Sequence, residues 1–240
     1  MTILLGEHRD LEVQLRESIP LLLDLSYKEK KVNGHSSCLY SIADNRLLCG
    51  RDASLSIISG STFQPLKSLN SCNVNGVAPH KQGFLALHWE NGKNYIILYS
   101  PELVFMKLFG EFFRPTDKFA QLSVTRNHVV AVDPDEKHLN VYNTKGEFLY
   151  VTKLSNDKRP WGVQGTQDGC VLVSDFTGGC LRKYRVLSGK HKPVWVCYDL
   201  MSPVGIAVNA AGLIFVASFS GKKIYVIAPD GKTLCYKSFR

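Results

Sequence analysis

The sequence is poor in the features that would identify an enzyme, a secreted scaffold or a membrane protein. Its seven cysteines (Cys38, Cys49, Cys72, Cys170, Cys180, Cys197 and Cys235) are odd in number and scattered, with no Cys-x-x-Cys. That spacing supports neither a disulfide framework nor a zinc site, so most of them read as small buried apolar residues, in a reducing, cytoplasmic compartment. The seven histidines show no metal-ligand spacing, and Gly178-Gly179 lacks the Lys-Ser/Thr of a phosphate loop. There is no Gly-x-Ser-x-Gly elbow. No run approaches the roughly 20 apolar residues of a membrane-spanning helix. The opening Met-Thr-Ile-Leu-Leu-Gly-Glu-His-Arg-Asp has neither a basic leader nor the apolar length of a secretory signal. Acidic residues are in deficit, 21 against 29 Lys and Arg, giving a formal charge of +8. That balance permits an acidic partner without demanding one. What remains is an ordinary globular composition, with 45% hydrophobic and 21% charged residues over 240 positions, ample for a sizeable core.

What is present is a repeat. Pro203-Val204-Gly205-Ile206-Ala207-Val208 aligns with Pro160-Trp161-Gly162-Val163 at an offset of 43, which also carries Val173-Ser174-Asp175 onto Val216-Ala217-Ser218 and Leu181 onto Ile224. A third copy, Ala131-Val132-Asp133 with Leu139, lies 42 residues before Asp175. In each copy a short apolar strand meets a turn, then a second strand (170–174, 213–217), a polar turn, a third strand of period two (139–142, 224–227), a Gly turn and a fourth strand (147–151, 232–236). Gly83-Phe84-Leu85-Ala86-Leu87 with 95–101, and Asn45-Arg46-Leu47-Leu48-Cys49 with 55–59, are two further copies. Four short antiparallel strands every 40-odd residues predict an all-β protein, a β-propeller with five recognisable blades, complete or an unfinished six. The predicted inter-blade core is Val130, Val132, Leu139, Val141, Leu172, Val173, Leu181, Ile214, Val216, Ile224 and Val226.

The strings Pro203-Val204-Gly205-Ile206-Ala207-Val208, Gly212-Leu213-Ile214-Phe215-Val216-Ala217-Ser218 and Ile224 to Asp230-Gly231 resemble the NHL repeat. That family's pattern is Pro-x-Gly-Ile-x-Val, Gly-x-Ile-Tyr-Val-x-Asp, then Ile-x-Val-Phe before a Gly turn. The resemblance covers residues 35–240. It departs at Ser218, where the family has Asp, and at Phe119-Ala120-Gln121, which lacks Pro-x-Gly. It implies a propeller like the C-terminal module of tripartite-motif proteins, selecting a protein substrate for a ubiquitin ligase or binding RNA. Residues 1–34 would be a closing strand or the tail of an upstream helix, since Leu11, Leu15, Ile19 and Leu22 share one helical face.

In a propeller, the links between blades and the turns joining second to third strands share one face, where loops are free of packing constraints. Lys153, Lys158, Arg159, Lys190, His191 and Lys192 are placed in inter-blade links, and Lys222 and Lys223 in the last such turn. Trp161 and Phe219 (and Trp195) are available to stack. These residues form the candidate binding surface. A protein partner is the first expectation and single-stranded RNA on the same basic sector the alternative. The structural readings are solvating lysines and an inter-blade packing role for Trp161. A metal-dependent propeller hydrolase is the remote third reading, because the innermost strands at 122–124, 163–165 and 205–208 offer no carboxylate. No catalytic residue, metal, small-molecule cofactor or membrane partner is expected.

Overall fold

Short segments of alternating apolar and polar residues, separated by Gly-containing turns, become strands, and strands alone are found among the described residues. The computed structural model describes residues 36–238 apart from 43–44, 52–53, 63, 71, 112–119 and 155. The N-terminal segment 1–34 lies outside the described residues.

Five sheets form five blades. Blade 1 is β1 (Ser36–Ile42), β2 (Arg46–Arg51), β3 (Ser54–Ser59) and β4 (Pro65–Asn70). Blade 2 is β5 (Val74–His80), β6 (Gly83–Glu90), β7 (Lys93–Tyr99) and β8 (Phe105–Glu111). Blade 3 is β9 (Gln121–Val124), β10 (His128–Asp133), β11 (His138–Asn143) and β12 (Phe148–Leu154). Blade 4 is β13 (Pro160–Gly165), β14 (Cys170–Asp175), β15 (Cys180–Arg185) and β17 (Trp195–Cys197), and β16 (Gly189–His191) precedes its last strand. Blade 5 is β18 (Pro203–Val208), β19 (Ile214–Ser218), β20 (Lys223–Ile227) and β21 (Thr233–Ser238). Neighbouring strands within each blade are antiparallel, and the first strand of each lies innermost.

The Pro-x-Gly string read from the sequence is a bulge with a packing purpose. In β13, Pro160 opposes Asp175 and Val163 opposes Val173, so the inner strand carries one extra residue. β18 repeats this with Pro203 opposite Ser218 and Ile206 opposite Val216. A Cβ on Gly162 would fall 2.1 Å from the Val204 carbonyl oxygen of the next blade, so only glycine lets the two inner strands approach. Gly76 of blade 2 serves the same purpose against the Leu122 backbone of blade 3, at 2.8 Å. Gly205, the counterpart in blade 5, meets only Ala217 of its own sheet among the described residues.

Apolar residues between successive blades form four cores. Leu48, Leu55 and Ile57 meet Val74 and Ala86; Leu85 and Leu87 meet Leu122 and Val129; Val130 and Val141 meet Val171 and Val173; Leu172 and Leu181 meet Ile214 and Val216. Burying each such side chain contributes about 1.5–3 kcal/mol, which makes the inter-blade seams the principal source of stability. Of the predicted core, all but Ile224 are buried. Ile224 pairs with Ala217 on the face of blade 5 turned away from blade 4, and it is half-buried there.

Two placements correct the sequence expectation, the first being Lys153, which lies within strand β12 and not in an inter-blade link. Lys190, His191 and Lys192 do not form an inter-blade link. They belong to the excursion between β15 and β17 within blade 4, and β16 is laid in parallel along the outer edge of blade 3. Thr152 Oγ1 donates to the Leu187 carbonyl (2.6 Å) and Tyr150 Oη to the Val186 carbonyl (3.2 Å), clipping the excursion down. An outer edge needs its backbone groups paired or shielded, and this loop does that for blade 3. Cys49, Cys72, Cys170, Cys180, Cys197 and Cys235 are free, with Cys49, Cys180 and Cys197 buried.

Candidate functional site

The residue closing the second strand of each later blade organises the upper face. Asp133 Oδ1 accepts from the Asp135 and Glu136 N–H groups (both 3.1 Å), Asp175 Oδ1 from Gly178 N–H (2.9 Å), and Ser218 Oγ from Gly221 N–H (3.1 Å). This side chain therefore caps the turn into the third strand, as short polar side chains do. Asp175 goes further and accepts from the Lys158 and Arg159 N–H groups of the incoming link (2.9 Å each). Ser218 instead donates to the Met201 carbonyl, so the departure from Asp at this position keeps the tie between turn and link with opposite polarity.

Beneath that link lies a buried charge cluster. Arg182 Nη1 donates to Asp157 Oδ1 (2.7 Å) and Asp175 Oδ2 (2.8 Å), and Tyr184 Oη donates to the second oxygen of Asp157. Both carboxylate side chains are fully buried. Burial alone would raise the Asp175 pKa, but the backbone N–H groups and the guanidinium prevail and hold it below the ordinary carboxylate value. At Asp157 burial prevails over its bonds to Tyr184 and Arg182, and its pKa is pushed up. The cluster fixes the backbone of residues 157–159 and consumes both acidic groups, leaving the cations of the link to face outward.

An aromatic row spans blades 4 and 5 on this rigid base. The Trp161 and Phe176 ring centroids are 5.3 Å apart, and those of Phe176 and Phe219 6.5 Å apart. The Arg159 guanidinium lies 5.2 Å from the Trp161 centroid and 5.8 Å from that of Phe176, within cation–π range. The link at 198–202 borders the row. Leu200 N–H donates to the Gly179 carbonyl and Phe219 N–H to the Ser202 carbonyl, tying the link to both turns. Phe219, Tyr198 and Met201 are 73%, 63% and 53% exposed, an apolar surface held by fixed backbone. The exposed charges beside it are Lys158, Arg159 and Lys222 against Asp199.

Of the residues singled out in the sequence, Lys158, Arg159, Trp161, Phe219 and Lys222 thus share one sector. Lys223 turns outward, its Nζ 4.0 Å from the ring centroid of Tyr236 on the outer strand. Lys153 pairs with Lys190 in the β12–β16 ladder, so Lys153, Lys190, His191 and Lys192 belong to the outer rim of blade 3. Trp195 donates its indole N–H to the Pro229 carbonyl (3.2 Å) at the opposite face. Phe176 was missed. The offset of 43 that relates Ser218-Phe219 to Asp175-Phe176 marks it. Asp157, Arg182 and Tyr184 carry no such mark, because their contact joins a link to a strand with unrelated spacing. Among the described residues no group of three or more His, Cys, Asp or Glu could hold a metal ion.

No protein-family model and no curated protein matches the chain. Its likeness is to solved structures. A protein of unknown function from Bacteroides caccae aligns with TM-score 0.69 at 13% identity, over 88% of this chain and 83% of that one. The WD40 repeats of RRP9 align with TM-score 0.66 at 12% identity, over 87% and 65%. Virginiamycin B lyase from Staphylococcus aureus aligns with TM-score 0.62 at 11% identity, over 89% and 73%. Identities this low speak for fold alone. The described residues form a five-bladed β-propeller, structurally similar both to a WD40-repeat propeller and to virginiamycin B lyase.

Proposed function

We propose that the chain is a non-catalytic protein-binding module of the NHL type. It grips a partner with the blade 4–blade 5 sector of its upper face. The observation that carries this reading is the Arg159–Trp161–Phe176–Phe219 row, flanked by exposed Met201 and Tyr198. Aromatic and Arg side chains on fixed backbone, with an exposed apolar centre and a polar rim, are the features of interaction hot spots. Arg159 already covers faces of Trp161 and Phe176, so a stack of bases would have to displace it, whereas a side-chain anchor beside Phe219 would not. The cationic rim suits a partner segment bearing carboxylates around that anchor. The NHL resemblance supports a role in selecting the substrate of a ubiquitin ligase.

Selection of a displayed random-peptide library on the protein should enrich acidic sequences containing a large apolar residue. Phe219→Ala should weaken the selected peptides about 10- to 30-fold, the scale of a truncated hot spot. Failure to enrich any such sequence would sink the reading. So would micromolar binding of single-stranded RNA that falls, with a flattened salt dependence, when Lys158, Arg159 and Lys222 become Ala.

A further inference from the structure

The opposite face carries the turns joining first to second and third to fourth strands, and two inter-blade grooves open there at equivalent places. Between blades 4 and 5, a cavity of about 170 Å³ is lined by the first turn of each blade, the last turn of blade 5, and Lys183. Between blades 2 and 3, a cavity of about 430 Å³ is lined by His80-Lys81-Gln82, Thr125-Arg126 and Thr144 from the corresponding turns. Pro79, Val124 and Val129 give the larger groove an apolar floor. Its volume falls within the range of small-molecule sites.

The two grooves differ in charge. In the smaller one, Lys183 Nζ lies 2.7 Å from Asp168 Oδ2. Burial works against that carboxylate, but its hydrogen bonds from Lys183, Thr166 and Cys170 hold its pKa at about 2, so the cation is neutralised from within. The larger groove collects Lys81 from blade 2 and Arg126 from blade 3, and among the described residues no carboxylate lines it. The first turn of blade 2 holds Lys81 and Gln82 between the paired His80 and Gly83, whereas that of blade 4 holds Gln167, Asp168 and Gly169 between Thr166 and Cys170, so only the blade 4 turn brings a carboxylate to its groove.

The other polar groups of the larger groove are already engaged. His80 Nε2 donates to the Thr144 carbonyl (3.2 Å) and its Nδ1 accepts from Gln82 N–H (3.2 Å), which makes it a strut between the blades. Thr125 Oγ1 accepts from His128 N–H (3.1 Å). Lys107 Nζ donates to the Lys145 carbonyl (3.1 Å), holding the last turn of blade 3 against blade 2. The walls are therefore fixed, and the donors left to a ligand are Lys81, Arg126, the Gln82 amide and the Thr144 hydroxyl.

We propose that the groove between blades 2 and 3 binds a small organic anion, a carboxylate or phosphate monoester on an apolar body. The acidic group meets Lys81, Arg126 and the Gln82 amide, and the body lies on Pro79, Val124 and Val129. Two cations converging from adjacent blades over a low-dielectric floor raise the local potential, and an anion relieves it. This site is independent of the protein-binding sector on the other face.

Calorimetric titration of the whole chain with phenyl phosphate, benzoate and inorganic phosphate tests the proposal. The tighter of the two aryl probes shows which acid is preferred. At least one should bind tenfold or more tightly than inorganic phosphate, because only the aryl anions use the floor. Lys81→Glu/Arg126→Glu should abolish binding, and Gln82→Glu, which puts a carboxylate into the groove, should weaken it at least tenfold. All three positions are exposed, so the variants keep the fold, which circular dichroism checks. Lys67→Glu, on the exposed outer strand of blade 1, should leave anion binding unchanged. The proposal is overturned if no aryl probe binds below about 10 mM, if inorganic phosphate binds as well, or if the groove variants bind like the parent.

Discussion

Replacing Arg182 by Leu would remove the one cation between two fully buried carboxylates, Asp157 and Asp175, to which it donates at 2.7 and 2.8 Å. Asp175 would keep its three backbone N–H donors, but Asp157 would keep only Tyr184. Breaking a buried pair from one side costs about 3–5 kcal/mol, because the remaining charge stays desolvated. For a chain of this size that lowers the melting temperature on the order of 10 °C. The sign of the pH dependence then distinguishes a charge effect from lost packing. The Asp157 pKa already stands above its unfolded value and rises further without the guanidinium. Between the unfolded pKa of about 3.9 and the raised folded one, the native state holds a proton that the unfolded chain releases, so the variant gains stability as pH falls through that window. Urea denaturation at about pH 7 and pH 5 should show the deficit shrinking on acidification. Asp157→Asn/Arg182→Leu should recover at least half of the loss at neutral pH. A deficit under about 1 kcal/mol at pH 7, or one unchanged at pH 5, would refute the account of the cluster.

Two further outcomes test the fold. His88 is buried with Tyr99 Oη 3.1 Å from its Nε2, and burial holds its pKa down at about 4. The unfolded chain binds a proton there between about pH 6.5 and 4 that the native state refuses, so stability falls across that window by about 3 kcal/mol. His88→Gln should flatten this part of the urea-midpoint profile. Gly162→Ala would drive a methyl group into the Val204 carbonyl of blade 5 and should cost about 1–3 kcal/mol or more, whereas Gly205→Ala should stay within about 0.5 kcal/mol. Equal losses at the two positions, read from thermal melts, would contradict the packing role assigned to the bulge.

Much of the fold was legible in the sequence because a strand repeats its requirements locally. Leu139-Asn140-Val141-Tyr142 announces a strand by alternation, and a recurrence at 42 or 43 residues announces a blade. The clamp residues were visible as recurring Asp133, Asp175 and Ser218, although their partners were not. Phe176 lay one step from being found through its repeat mate Phe219. The Lys190–Lys192 stretch went astray because its lysines look alike in a link and in an edge strand, and only pairing with Thr152–Leu154 distinguishes the two. Ile224 shares the alternation of the core positions, yet it faces away from blade 4, and that depends on which blade follows it.

By itself the sequence determined the strands, the blade period and the glycine turns, since periodicity, turn chemistry and backbone freedom act over a few residues. Tertiary structure alone decided which side chains meet. It gathered Arg159, Trp161, Phe176 and Phe219 into one row and enclosed Arg182 between two carboxylates. It also left Lys81 and Arg126 facing a groove with no carboxylate of its own among the described residues. Such contacts join residues tens of positions apart, and their energies depend on distance and burial, which a linear order of residues does not contain.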